Sequence, residues 1–141
     1  MKEIDTNTKG ILTELKVLQY VIEKGYSVSI PYGDRDRYDQ IWDIDGKLLR
    51  VQVKTSSWYN EEKTAFSFKT RSGYMKAHKN IEKKYSKEEI DYFATFFENE
   101  CYVVPVEECG TIKVLRFSSE TKNQSSINWA KDYTFKEIIE K

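Results

Sequence analysis

Cysteine is scarce in this 141-residue chain. Cys101 and Cys109 lack both the dense, even spacing of a disulfide-stapled secreted domain and the paired spacing of a zinc site, so they read as reduced, incidental thiols. Long apolar runs are missing as well. No segment approaches the roughly 20 apolar residues of a membrane span, and the charged start Met1-Lys2-Glu3-Ile4-Asp5 leads into no apolar leader, so a cytoplasmic protein with no membrane partner is expected. Neither sign of charge prevails, because 23 basic residues balance 23 acidic ones. That excludes a uniformly cationic binder working by bulk attraction, and any anionic partner must be met by a local patch. No repeat, low-complexity tract or linker interrupts the chain, and residues 1–141 are expected to form a single domain long enough to bury one core.

Aromatic residues are plentiful and suit a β-containing core, with some left for a base-stacking surface. Residues 8–24 carry Ile11, Leu15, Leu18 and Ile22 at alternating steps of four and three, with Thr6 or Thr8 as a cap and Gly25 as a stop, which predicts a helix. Residues 26–30 read as a short strand ending at Pro31, followed by a charged loop. Residues 38–44 and 47–55 are joined by Asp45-Gly46, a pair suited to the positive φ of a two-residue turn, and predict a β-hairpin. Further strands are expected at 65–70, 90–97, 101–105 and 112–117, an irregular or helical basic stretch at 71–87, and a short closing helix behind the capping-box spacing of Thr134 and Glu137. The fold class is therefore α/β, with a central mixed sheet of about five strands flanked by helices.

Alternation along the hairpin places Asp39, Ile41 and Asp43 on one face of its first strand and Arg50, Gln52 and Lys54 on one face of its second. Leu49, Val51 and Val53, with Trp42 and Ile44, form the opposite, apolar side. Glu14 falls within the apolar arc of the helix, where a lone carboxylate is costly and survives by pairing or by binding metal. These are the parts needed for metal-assisted phosphodiester hydrolysis. Asp39, the side-chain oxygen of Gln52 and the main-chain carbonyl of Val53 can hold Mg²⁺, or Mn²⁺ in its place, because hard cations favour oxygen donors. Lys54 can orient the attacking water and offset charge on phosphorus, and Glu14 can reach the same ion or a second one. The competing readings are a solvated strand face for Gln52 and Lys54, a charged residue at a strand mouth for Asp39, and an ion pair of Glu14 with Lys54 or Arg50.

Tyr38-Asp39-Gln40, followed thirteen residues after the aspartate by Gln52-Val53-Lys54 and preceded by a helix bearing Glu14, resembles the PD-(D/E)xK nuclease superfamily. The likeness covers most of the chain. It is closest to the branch that includes a group I intron-encoded homing endonuclease, where glutamine takes the middle acidic position and where an Ile90-Asp91-Tyr92-Phe93 strand and a Val104-Pro105-Val106 step recur. Archaeal Holliday junction resolvases are a more distant likeness. The resemblance implies a restriction-endonuclease-like fold, a metal-dependent DNA endonuclease with catalytic residues Glu14, Asp39, Gln52 and Lys54, and DNA, duplex or branched, as partner. Two departures stand out: Tyr38 occupies the proline position, and Gln52 removes a negative charge from the metal cage. A nuclease-fold module that binds DNA without cutting it is the alternative, and an unrelated α/β interaction domain is a third possibility.

From Lys63 to Lys87 eight basic residues face only Glu82, a candidate phosphate-contacting surface for which Lys69, Arg71, Lys76 and Lys79 are singled out, with Tyr74 and His78 among them. A solvated helix face is the plain alternative. Because one small active site meets one strand at a time, cutting a duplex implies two copies, so a homodimer or higher homo-oligomer is expected.

Overall fold

The computed structural model describes residues 3–33, 35–76, 79–119 and 126–141, with the backbone alone for 72–76 and 79–82. Helix α1 (Thr6–Glu23) leads into β1 (Ser27–Ser29), β2 (Gln40–Ile44), β3 (Lys47–Val53), β4 (Ser57–Trp58), β5 (Ala65–Lys69), β6 (Arg71–Lys76), β7 (Lys79–Lys84), β8 (Tyr92–Phe97), β9 (Glu100–Pro105), β10 (Ile112–Arg116) and the closing α2 (Phe135–Ile139). The main sheet has the order β1-β2-β3-β8-β9, antiparallel throughout except for the parallel pair β3–β8, so it is the five-stranded mixed sheet expected. A smaller sheet, β10-β5-β4, packs beside it, and β6–β7 forms a separate two-stranded ribbon.

The two ends of the main sheet show why local chemistry shapes it. Asp45 and Gly46 turn the β2–β3 hairpin with φ of 53° and 93°, the left-handed pair that a two-residue turn requires. Glu98 and Asn99 do the same between β8 and β9, with φ of 48° and 64°. Residues of alternate parity on β8 and β9 then feed two cores. One holds Val17, Val21, Trp42, Val51, Ala94, Val103 and Phe135 beneath α1 and α2. The other, across the sheet, holds Phe66, Phe68, Ile90, Phe93, Val104 and Leu115 beneath the small sheet. Each Val, Leu, Ile or Phe side chain among them contributes about 1.5–3 kcal/mol by leaving water.

Three sequence expectations need correction. The cap of α1 is Asp5, whose Oδ1 accepts from the Thr8 N–H at 2.8 Å, rather than a threonine. The buried line of α1 is Thr13, Val17 and Val21, whereas Ile11, Leu15 and Ile22 are 56, 52 and 52 % exposed. The winning line is the one whose neighbours the sheet side satisfies: the Tyr20 ring packs on Phe96 and Phe135, its hydroxyl donates to Glu100 Oε1 at 2.8 Å, and the Thr13 hydroxyl meets that of Thr55 at 3.1 Å. Finally, the basic stretch within 71–87 is a β-ribbon and not a helix, registered as Arg71↔Lys84 at its base and Lys76↔Lys79 toward its tip.

Candidate active site

Asp39 stands just before β2, and its backbone N–H donates to the Val51 carbonyl at 2.8 Å, which fixes it against β3. Its Oδ2 accepts from the Val53 N–H at 2.9 Å, so a side-chain oxygen makes the next rung where β2 and β3 part. The N–H and C=O of a strand residue point to the same side, so the Val53 carbonyl lies on the Asp39 side too. Gln52 reaches the same place. With its amide nitrogen turned inward it donates to Asp39 Oδ2 at 3.3 Å and to the Arg37 carbonyl; with its oxygen inward, three oxygens face one another.

Glu14 arrives from α1, and the buried Gln40 holds it there. The Gln40 amide donates to the Glu14 carbonyl at 2.9 Å and accepts from the Trp42 indole N–H at 3.0 Å, bridging helix and strand one residue from Asp39. The Glu14 and Asp39 side chains line one groove, close enough for each to act on the other's carboxyl. Partial burial, then the Asp39 carboxylate, push Glu14 up to about 7. Burial also raises Asp39, against the opposing pull of the Val53 N–H, the Glu14 side chain and the Lys54 charge. Two carboxyls in one half-buried spot favour a shared proton or a cation between them.

Lys54 supplies the positive charge. Its burial lowers it from the ordinary lysine range, Asp39 raises it, and Arg37 and Lys69 lower it further. Its Nζ donates to the Arg71 carbonyl at 3.3 Å and lies 5.1 Å from the centre of the Tyr85 ring. All four predicted catalytic residues thus converge on one place.

The donor set fits a hard divalent cation. Glu14, Asp39, the Gln52 amide and the Val53 carbonyl offer oxygen alone, and among the described residues no group of three or more His, Cys, Asp or Glu side chains stands together. One or two carboxylates completed by substrate phosphate oxygens is the pattern of Mg²⁺ rather than of zinc or of a carboxylate-rich Ca²⁺ cage.

Other candidates fall elsewhere. Arg50 lies away from Glu14: its Nε meets Asp91 Oδ2 at 3.3 Å and its guanidinium reaches the Lys87 carbonyl at 2.8 Å, so its pairing is structural. Asp43 Oδ1 accepts from the Gly46 N–H at 2.8 Å and caps the turn. Lys69 is exposed and close enough to act on Lys54, while Arg71 donates to the Thr111 carbonyl at 3.2 Å. Lys76 and Lys79 are opposite one another on the ribbon backbone, but their side chains, with that of Tyr74 and all of His78, lie outside the described residues. Lys83 pairs with Glu89 at 3.7 Å and Lys87 with Glu107 at 4.0 Å, so part of the basic run is spent on local ion pairs. Sequence reasoning missed Gln40, Arg37 and Tyr85. A polar residue at a core-facing strand position was the available signal for Gln40; the other two are joined only by the fold.

Comparison with known proteins accords with this fold. The sequence profile of a family described as PD-(D/E)XK endonuclease matches residues 4–136. A solved structure described as the bacterial homing endonuclease I-Ssp6803I superposes with a TM-score of 0.74 at 24% identity, covering 93% of this chain and 89% of that one. At this identity the likeness speaks for the fold. No curated protein matches.

Proposed function

Because the chain belongs to the PD-(D/E)XK endonuclease family, we propose that it is an active, Mg²⁺-dependent endonuclease that hydrolyses DNA phosphodiesters, with Glu14, Asp39, Gln52 and Lys54 as its active site. The observation that carries this reading is that Glu14 and Asp39 line one groove, with the Asp39 carboxylate bonded to the backbone of Val53, the residue directly before Lys54. Asp39, Gln52 and the Val53 carbonyl would hold the ion, with Glu14 on its helix side; Mn²⁺ would serve in its place. Bound there, a divalent cation supplies positive charge to the phosphate and lowers the pKa of water. Lys54 orients the attacking water and offsets charge on the phosphate oxygens. Glu14 and Asp39, once ionised, would provide the negative charge that retains the ion.

Lys69 and Arg71 at the base of the β6–β7 ribbon, with Lys76 and Lys79 beyond them, would contact DNA phosphates, since a two-stranded ribbon fits a major groove. The likeness to a homing endonuclease makes an unbranched duplex the first substrate to try and a branched junction the second. A homodimer or higher homo-oligomer is supported by the exposed line of α1, where Ile11, Leu15, Leu18 and Ile30 line a groove of about 240 Å³ that ends at Glu14, Asp39 and Gln40. No helix among the described residues is long and apolar enough to cross a membrane; a cytoplasmic location is part of this proposal.

The second reading, a module that binds DNA without cutting, is favoured by Gln52, which leaves the site one negative charge short. Nicking of duplex and branched DNA with and without Mg²⁺, by the wild type and by Asp39→Asn, separates the two. The first reading expects metal-dependent cutting by the wild type and binding without cutting by the variant. Equal binding with no cutting by either would overturn it in favour of the second.

A further inference from the structure

The catalytic lysine is tied to the basic ribbon, and the tie is double. Lys54 Nζ donates to the carbonyl of Arg71 at 3.3 Å, and Arg37 Nη2 donates to the carbonyl of Lys84 at 3.4 Å. Arg71 and Lys84 are register partners, so the two cations grip both strands of the ribbon at one rung. Tyr85 follows directly. Its ring centre lies 3.8 Å from the Arg37 guanidinium carbon and 5.1 Å from Lys54 Nζ, so both cations share one aromatic ring. The ring is itself fixed edge to face on Phe93, with centroids 5.1 Å apart and planes at 84°. Phe93 is fully buried and sits opposite Gln52 in the β3–β8 register. Arg37 is steadied from another side by Glu89 at 3.2 Å.

We propose that Tyr85 is the positioning residue for Lys54, presenting its ammonium to the scissile phosphate and linking that presentation to the base of the ribbon; this rests on the reading of Lys54 as a cleavage residue. A lysine stem has four rotatable bonds, and a catalytic group misplaced by an ångström loses much of its effect. Two like charges near each other also repel, and Arg37 and Lys54 stand over the same ring. The negative face of the ring offsets this repulsion and selects one of the stem's many conformers. The Arg71 carbonyl supplies the direction. Because that carbonyl belongs to the ribbon, a ribbon seated on DNA and a lysine seated on phosphate are one arrangement.

Tyr85 also packs against the second core, so its test needs a signal that loss of packing alone does not move. Three versions of the full chain serve: Tyr85→Phe, Tyr85→Met, and pentafluorophenylalanine placed at 85, which keeps the ring's shape and inverts its charge distribution. The first readout is the acetylation rate of Lys54 relative to Lys131, followed by peptide mass spectrometry. The second is the single-turnover nicking rate with saturating DNA. Labelling of Lys54 should rise about fivefold with the fluorinated ring and with methionine, and nicking should fall about tenfold at unchanged DNA affinity, with phenylalanine restoring most of both. A folded fluorinated variant that labels Lys54 as slowly as the native chain overturns the proposal, even if the protein cuts DNA. Labelling requires no cleavage, so a chain that never nicks but shows the fivefold rise keeps the Tyr85 contact and sinks the cleavage reading instead.

Discussion

Glu14 and Asp39 line one groove, one from helix α1 and the other from the mouth of β2, and each acts on the other's carboxyl. Glu14 in the fold titrates at about 7 against 4.5 for the free side chain, and Asp39 is shifted in the same direction. Between those two pH values the folded chain binds more protons than the unfolded one, so stability falls as pH rises from about 4.5 to 7 and levels off above. In EDTA the urea midpoint should drop over that window. Glu14→Gln should flatten the drop and be more stable than the wild type at pH 8. Parallel pH curves for the two proteins would mean that Glu14 is not raised in the fold.

Gln52→Glu restores the third carboxylate. The native amide can donate to Asp39 and to the Arg37 carbonyl, and a glutamate at this position can do neither. Without metal the variant should be less stable by about 1–3 kcal/mol at pH 8. With Mg²⁺ it should gain more than the wild type, because a ligand at about 100 times its Kd adds roughly 2.7 kcal/mol and Kd falls with the added charge. Thermal unfolding with EDTA and with Mg²⁺ measures both halves. A variant that gained no more from Mg²⁺ than the wild type would remove Gln52 from the cation's ligands.

Leu15 is half exposed on the unburied line of α1, next to Ile11 and Leu18. Steps of four, three and four form the seam of a two-helix contact, and a partner seated there would cover apolar area now in water. Leu15→Glu should convert a dimer to a monomer by sedimentation while leaving the unfolding midpoint of the monomer unchanged within about 0.5 kcal/mol. A wild type that stays monomeric at high concentration, with and without DNA, would refute the pairing.

Asp91 holds β8 to β3. It accepts from the Arg50 backbone N–H at 2.8 Å and from its side chain, and although partial burial pushes its carboxyl up, those bonds and the Arg50 charge hold it below the usual range. This contribution is present above the ordinary aspartate value and is lost as pH falls through the lower, folded one. Asp91→Asn should cost about 1 kcal/mol at pH 7, discounted for the pair's exposure, and lose that cost in acid. Nicking should be unaffected, because Asp91 is clear of the carboxyl pair; urea denaturation at pH 7 and at pH 3 checks the sign.

The β2–β3 hairpin and the strand-borne part of the site were legible because they depend on short-range rules. Asp45-Gly46 names its turn, and a period of two assigns Gln52 and Lys54 to one face. The Glu98-Asn99 turn escaped because neither residue is glycine, although both adopt its conformation. Helix α1 was legible as a helix but not in its orientation: it bears two apolar lines, and which one meets the sheet depends on Tyr20, Thr13 and their partners far along the chain. Glu14 was singled out as an inward residue within the wrong arc, and it reaches the site from the edge of the buried face. The ribbon was hidden for a different reason. Its lysines and lone glutamate carry no alternation of apolar and polar residues, so pairing in register, not pattern, defines it.

Where β2 and β3 diverge, the Asp39 carboxylate stands in for a missing main-chain carbonyl by accepting from Val53. This makes the two carboxylates unequal in freedom. Asp39 is tied by its side chain to the backbone of Val53, the residue directly before Lys54, whereas Glu14 is tied to the strand through its main-chain carbonyl and Gln40. The proposed ion would therefore meet one carboxylate already fixed by a hydrogen bond and another of which only the main chain is fixed.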